Sequence, residues 1–231
     1  MSREQMLGAI RRGLRRGPLP NDQTMALHAR MAAHPRHLIP ARSQVPRPAQ
    51  VALFIANVEK EFGTVARVTD LADVPAAIAD YLAAGNLTTD FAMAPHPELQ
   101  SLPWESRPLL RPRLGRAQGS DLVCLTHGYA GIAETGTIML PGTPERPTTL
   151  NLLGDVAIIV LRTSRLVGPY EAAWDILRQE QNDSENFMPR NVMLVTGPSR
   201  SADIESTLEL GAHGPRHLHV ILVDDDPAAI A

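Results

Sequence analysis

Glu134, Thr135 and Thr137 surround Gly136 in the run Gly131-Ile-Ala-Glu-Thr-Gly-Thr-Ile-Met-Leu140, so one carboxylate and two hydroxyls sit beside a residue able to turn the chain sharply. Partial burial of Glu134 would raise its pKa and suit it to act as a general base or nucleophile. The same carboxylate can instead hold the turn by accepting backbone N–H bonds. A second polar stretch, Val195-Thr-Gly-Pro-Ser-Arg-Ser-Ala-Asp-Ile-Glu205, reads as the end of a strand over 192–196 leading into a helix over about 201–210. Unpaired N–H groups at such a helix start favour an anion, and Ser199, Arg200 and Ser201 add donors and charge. The alternative is a serine that caps the helix beside a solvated Arg200.

Eight histidines raise the question of a metal. His213 and His217 are separated by Gly214-Pro215, which prevents a shared helical face, and His217 and His219 have no third ligand near them in sequence. No metal site is expected. His127 ends an apolar run just before Gly128 and is the better candidate for a pocket; His213 is retained as a candidate anion ligand. Cys124, within Leu-Val-Cys-Leu, reads as a small core residue, and Asp224-Asp225-Asp226 as a solvated chain end. Neither polar stretch matches a phosphate-binding loop or the Gly-x-Gly-x-x-Gly fingerprint, so no nucleotide cofactor is expected.

The elements that must position these residues alternate between helix and strand. Met6, Ile10 and Leu14 recur at helical spacing over the first sixteen residues, with arginines on the other face, a surface suited to a partner or a second copy of the chain. A proline-rich arm around a short helix over 24–33 extends to Pro48, and residues 49–231 form the main domain. Val51, Phe54 and Val58 mark a helix face ended by Gly63; Val74, Ile78 and Leu82 mark the next, capped by Asp73. Strands are expected over 64–68, 91–94, 122–126, 129–133, 137–140, 156–161, 192–196 and 218–223. The continuous apolar run 156–161 suits a strand covered on both faces. The fold class is α/β, a mostly parallel open sheet with helices on both faces and a strand-rich insertion in its middle.

A chain of 231 residues, 44% hydrophobic and 20% charged, has the composition of an ordinary globular protein. Twenty-two Lys and Arg against 25 Asp and Glu give a formal charge of -3, with no general pull toward nucleic acid or acidic membrane. A single cysteine allows no internal disulfide and no cysteine ligand set for an iron–sulfur cluster from this chain alone, which suits a reducing cytoplasm. Residues 1–20 lack a signal-peptide core, the pairs Arg11-Arg12 and Arg15-Arg16 being followed by Gly-Pro-Leu-Pro, and no run approaches membrane-spanning length.

The Ala-Glu-Thr-Gly-Thr run at 133–137, the Thr-Gly-Pro-Ser-Arg-Ser-Ala-Asp-Ile-Glu run at 196–205 and Gly211-Ala-His-Gly-Pro-Arg-His-Leu-His-Val-Ile-Leu222 together resemble the LUD domain family over roughly residues 50–223. The resemblance implies a fold like that of the NagB/RpiA/CoA-transferase group. It also implies a part in bacterial oxidation of L-lactate to pyruvate beside two partner proteins bearing iron–sulfur centres. The lone cysteine makes a non-redox accessory subunit, binding its partners or a small carboxylate, the consistent role. Two alternatives stand beside it: a stand-alone enzyme acting on a small anionic, acyl or phosphate substrate with Glu134 as base or nucleophile, and an assembly module that docks through its first helix.

Overall fold

Six parallel strands form the frame. The computed structural model describes residues 2–15, 17–36, 38–181, 188–204 and 207–229; Met1 and Arg16, at the ends of the expected first helix, lie outside them. By its contacts the chain divides into Met1–Leu38 and Ile39–Ala231.

The first unit carries two helices, α1 (Arg3–Gly13) and α2 (Asn21–Ala33). Ser2 and Gln5 close a capping box at the start of α1: the Gln5 N–H donates to Ser2 Oγ at 3.2 Å and the Ser2 N–H to Gln5 Oε1 at 2.9 Å. Met6, Ile10 and Leu14 stand exposed at helical spacing, and Met25 and Met31 of α2 are exposed as well.

In the second unit α3 (Arg47–Lys60) precedes β1 (Thr64–Val68), α4 (Val74–Ala84), β2 (Asp90–Met93), the single turn α5 (Pro97–Gln100), β3 (Arg111–Leu114) and β4 (Val123–His127). Next come β5 (Ala130–Ile132), β6 (Thr137–Pro141), β7 (Val156–Arg162), β8 (Leu166–Val167), α6 (Tyr170–Gln181), β9 (Val192–Val195), β10 (Arg200–Ile204), β11 (Thr207–Leu210) and β12 (His217–Val223). The main sheet runs β1-β12-β7-β4-β2-β3, with every pairing parallel. A smaller sheet runs β8-β5-β6-β9, and β10 pairs with β11 alone.

Strand alternation assigns the two faces of the main sheet. Val156, Ile158 and Val160 of β7 join Ile221 and Val223 of β12 in a core shared with Val74, Ile78 and Leu82 of α4. The intervening Ala157, Ile159 and Leu161, with Leu218, Val220 and Leu222, pack instead against Val51, Phe54 and Val58 of α3 and against Ile138 and Leu140 of β6. The far side of the smaller sheet, Ala130, Ile132 and Met139, is closed by Ala173 and Leu177 of α6. This is the expected α/β architecture, with β5 and β6 as the strand-rich insertion.

Two expectations for the C-terminal third are corrected. The segment 192–196 does not extend the parallel sheet: β9 pairs antiparallel with β6, from Ile138 opposite Val195 to Pro141 opposite Val192. The segment 201–210 is no helix but a hairpin, with Arg200 opposite Leu210 and Ser201 opposite Glu209; residues 205–206 lie outside the described residues. Its base is tied by the Gly211 N–H donating to the Ser199 carbonyl at 3.0 Å, a long-range bond that outweighs a weak local helix preference. With the helix gone, so is the helix-terminus argument for an anion at Ser199, Arg200 and Ser201.

Candidate functional site

The strand order reverses direction between β2 and β4. From β2 the chain steps outward to β3, then returns past β2 to β4 and continues to β7 and β12. In an open α/β sheet the crevice at the carboxyl ends of strands flanking such a reversal is where ligands bind. Here it is a cleft of about 470 Å³. His127, the last residue of β4, stacks on His96, which follows β2, with ring centroids 3.8 Å apart and planes 9° from parallel. Glu98, in the first turn of α5, faces His127 Nε2 at 2.9 Å through Oε1 and accepts from Arg162 Nε at 2.7 Å through Oε2. Arg162 is the last residue of β7 and also pairs with Asp225, beyond β12, at 3.1 Å.

These bonds fix the protonation of the cluster. Burial alone would raise the Glu98 pKa, but hydrogen bonds from His127 and Arg162 hold it down at about 2. An ionised Glu98 keeps the proton of His127 on Nε2 and leaves Nδ1 to accept from Arg146 Nη2 at 3.0 Å. Burial, with the neighbouring His127 and Arg146, pushes His96 down to about 4, and burial also lowers His127. Both rings are therefore neutral near pH 7.

Arg146 is the arginine of the cleft without an ion pair among the described residues; Glu145 and Glu180 act on its charge only from a longer range. Its Nε donates to the His127 carbonyl at 3.2 Å, its Nη2 reaches His127 Nδ1 and His96 Nε2, each at 3.0 Å, and its guanidinium lies 5.6 Å from the Tyr129 ring centroid. Among the described residues it has no carboxylate partner at ion-pair distance. Its neighbours do: Arg162 has Glu98 and Asp225, while Arg165 pairs with Glu180 at 2.7 Å. Glu180 also accepts from the Tyr129 hydroxyl, whose pKa rises through burial and that bond. A partly desolvated guanidinium without a counter-ion is an anion-binding group.

The Glu-Thr-Gly-Thr turn lies elsewhere, clasped to α3. Gly136 has φ +67°, and its backbone comes so close to α3 that a Cβ there would stand 2.5 Å from the Val58 nitrogen. Asn57 Nδ2 donates to the carbonyls of Ala133 and Glu134 at 2.8 and 3.2 Å. Thr137 Oγ1 lies 2.6 Å from Thr135 Oγ1, 2.6 Å from Thr196 Oγ1 and 2.8 Å from the Tyr170 hydroxyl, a knot joining β6, β9 and α6. The Glu134 side chain is 8% exposed and accepts from Arg42 Nη2 at 2.9 Å.

The remaining candidates divide again. Arg200 Nη2 pairs with Glu61 Oε2 at 2.5 Å, and its guanidinium covers the Phe62 ring at 5.0 Å. Ser199 Oγ accepts from the His213 N–H at 3.3 Å, and both residues border a second, mostly apolar cavity of about 240 Å³. Ser201 pairs within the hairpin. Thus the structure joins Glu134, Thr135, Gly136 and Thr137 in one turn, Ser199 and His213 at one rim, and His127 in the cleft; Glu134 lines neither cavity. His96, Glu98, Arg146, Arg162 and Arg165 are additions of the fold. Their sequence signal is a charged or imidazole residue just past an apolar strand, visible for His96 and Arg162 and absent for Arg146. Among the described residues no group of three or more His, Cys, Asp and Glu could hold a metal, and no helix is long and apolar enough to cross a membrane.

A family model described as the LUD domain matches residues 51–223. Over 96 residues the chain is 43% identical to the uncharacterised protein NMB1437 of Neisseria meningitidis, covering 42% of this chain and 40% of that protein. It is 36% identical over 103 residues to lactate utilization protein C of Macrococcus caseolyticus, covering 45% and 44%. With lactate utilization protein C of Bacillus subtilis the identity is 35% over 103 residues, covering 45% and 42%. The match thus spans less than half the length of these relatives. A crystal structure of a DUF162 family protein from Deinococcus radiodurans shares the fold, with a TM-score of 0.57 and 21% identity over 78% of this chain and 99% of that one.

Proposed function

The chain belongs to the LUD domain family, and from that premise we propose that it serves bacterial oxidation of L-lactate to pyruvate as a non-redox accessory subunit that binds a small carboxylate at Arg146. The relatives named lactate utilization protein C support the pathway, through partial matches. The single cysteine, buried and with its pKa pushed up to about 11 chiefly by burial, supports leaving electron transfer to iron–sulfur partner proteins. A homo-oligomer is compatible with this reading and is not required by it.

The observation that carries the site is Arg146, a mostly buried guanidinium in the cleft at the carboxyl edge of the sheet with no ion-pair partner among the described residues. Arg162 and Arg165 are held in ion pairs, whereas Arg146 has Glu145 in the same cleft wall but no ion pair, so its donors remain for a monocarboxylate. A carboxylate would accept from Arg146 Nη1, while Nη2 stays bonded to His96 and His127, two rings fixed by stacking that hold the guanidinium in place. Glu134 acts here as part of the clasp on α3; its pairing with Arg42 supports that role over a base or nucleophile.

The test is calorimetric titration of the purified full chain with L-lactate and with pyruvate. Arg146→Gln removes a charge-assisted interaction of about 1.5–3 kcal/mol, so affinity should fall roughly 10- to 150-fold. Equal affinity in parent and variant, or no binding of either anion at millimolar concentration, rules out the site. Unimpaired growth on L-lactate after deletion of the gene rules out the pathway.

A further inference from the structure

The second cavity has a chemistry opposite to that of the cleft. It lies between the two sheets, with Ala157 and Ile159 of β7 and Leu218 of β12 on one wall and Leu140 of β6 and Met193 of β9 on the other. Ala157 leaves room at a β7 position where Ile159 and Leu161, on the same face, fill it. Among the described residues no Asp, Glu, Lys or Arg lines the space. An aliphatic cavity of about 150 Å³ suffices for a benzene ring, and this one is about 240 Å³.

One polar group in its wall has no hydrogen-bond partner among the described residues. Asn151 is 6% exposed, and its Oδ1 has no hydrogen-bond partner. The amide nitrogen reaches only Met193 Sδ, at 3.9 Å. Buried side-chain carbonyls are nearly always paired, and a mostly apolar cavity with one placed polar atom is the composition of a small-molecule site. Ser199 and His213 border its mouth, which gives these two residues a place in binding that involves no anion.

We propose that this inter-sheet cavity binds a small uncharged molecule with an apolar body and one hydroxyl or amide N–H, which donates to Asn151 Oδ1. Charge disfavours the ligand of the Arg146 cleft here: among the described residues a carboxylate buried in this cavity would meet no Lys or Arg. The two sites are chemically independent.

The probe is p-cresol, a ring with one O–H donor, compared with toluene, the same ring without it. Binding is followed by the carbon-13 methyl resonance of Met193, assigned with Met193→Leu. On the unmodified chain p-cresol should shift that resonance saturably, with toluene at least tenfold weaker, because a site built around an acceptor rejects the analogue lacking the donor. Asn151→Leu should bring the two probes within about twofold, and Arg146→Gln should leave p-cresol binding unchanged. A Met193 resonance unmoved by p-cresol up to its solubility, or equal affinity for toluene, overturns the proposal. Both outcomes are read on the parent chain, so they stand even where the Asn151 variant does not fold. They are also separate from the lactate titration, which reads the other cleft.

Discussion

Gly136→Ala separates a structural Glu-Thr-Gly-Thr motif from a catalytic one. The added methyl would stand 2.5 Å from the Val58 nitrogen, 2.7 Å from the Asn57 carbonyl carbon and 3.0 Å from Asn57 Cβ. Two of these atoms belong to the α3 backbone and cannot rotate aside. With φ at +67° the alanine also pays about 1–2 kcal/mol for the left-handed region. Relief of the contact moves the turn off α3 and weakens the Asn57 bonds to Ala133 and Glu134, an overpacking cost of about 1–3 kcal/mol. Loss of glycine's freedom in the unfolded chain returns about 0.4–1 kcal/mol. The net is a destabilisation of roughly 1–4.5 kcal/mol, which for a chain of this size lowers Tm by on the order of 10 °C. Urea denaturation followed by circular dichroism measures it. Gly119→Ala is the control, since a Cβ there meets nothing within 4 Å, and it should change stability by less than about 0.5 kcal/mol. If Gly136→Ala behaves like the control while lactate affinity collapses, the clasp is wrong and the motif belongs to a site.

The pH dependence of stability has a defined sign. His96 and His219 are both pushed from their ordinary 6.5 to about 4, in each case chiefly by burial, so the native state excludes protons that the unfolded chain accepts. Their contribution is present above pH 6.5 and is lost as pH falls from there toward 4; the urea midpoint should drop between pH 7 and 5, and a flat or rising midpoint contradicts the burial of these rings. Glu98, held at about 2, adds a loss only below pH 4.5. Cys124, buried and pushed up to about 11, should resist an aromatic disulfide reagent at pH 8 in the native protein and react one-for-one in denaturant; stoichiometric native reaction within seconds would mean that the β4 strand is open.

The helices and strands around the parallel sheet were legible because their patterns are local. Val51, Phe54 and Val58 announce the α3 face, Val74, Ile78 and Leu82 the α4 face, and the run 156–161 a strand covered on both sides; all these positions are buried. The hairpin over 200–210 was not legible. Ile204 and Leu208 stand four apart as on a helix, while Thr207-Leu-Glu-Leu210 alternates as on a strand. What decides between these periods is the closure of the hairpin base by Ser199 and Gly211, a contact that no local window contains.

The same distinction explains the candidate site. His127 could be found because a histidine at the end of an apolar strand reaches the rim of a sheet wherever the other strands lie. Arg146 could not: in Thr-Pro-Glu-Arg-Pro it reads as a turn residue, and its meaning comes from His127, 19 residues away, and His96, 50 residues away. The motif that dominates the sequence marks the opposite case. Its hydroxyls and glycine are held in a clasp among α3, β6, β9 and α6, where small polar residues are needed for close approach and mutual hydrogen bonding. Polar residues in an apolar context therefore identify two different things in this chain, a seam between layers and the rim of a sheet. The seam satisfies its own hydrogen bonds, whereas the rim leaves Arg146 without a carboxylate at ion-pair distance among the described residues.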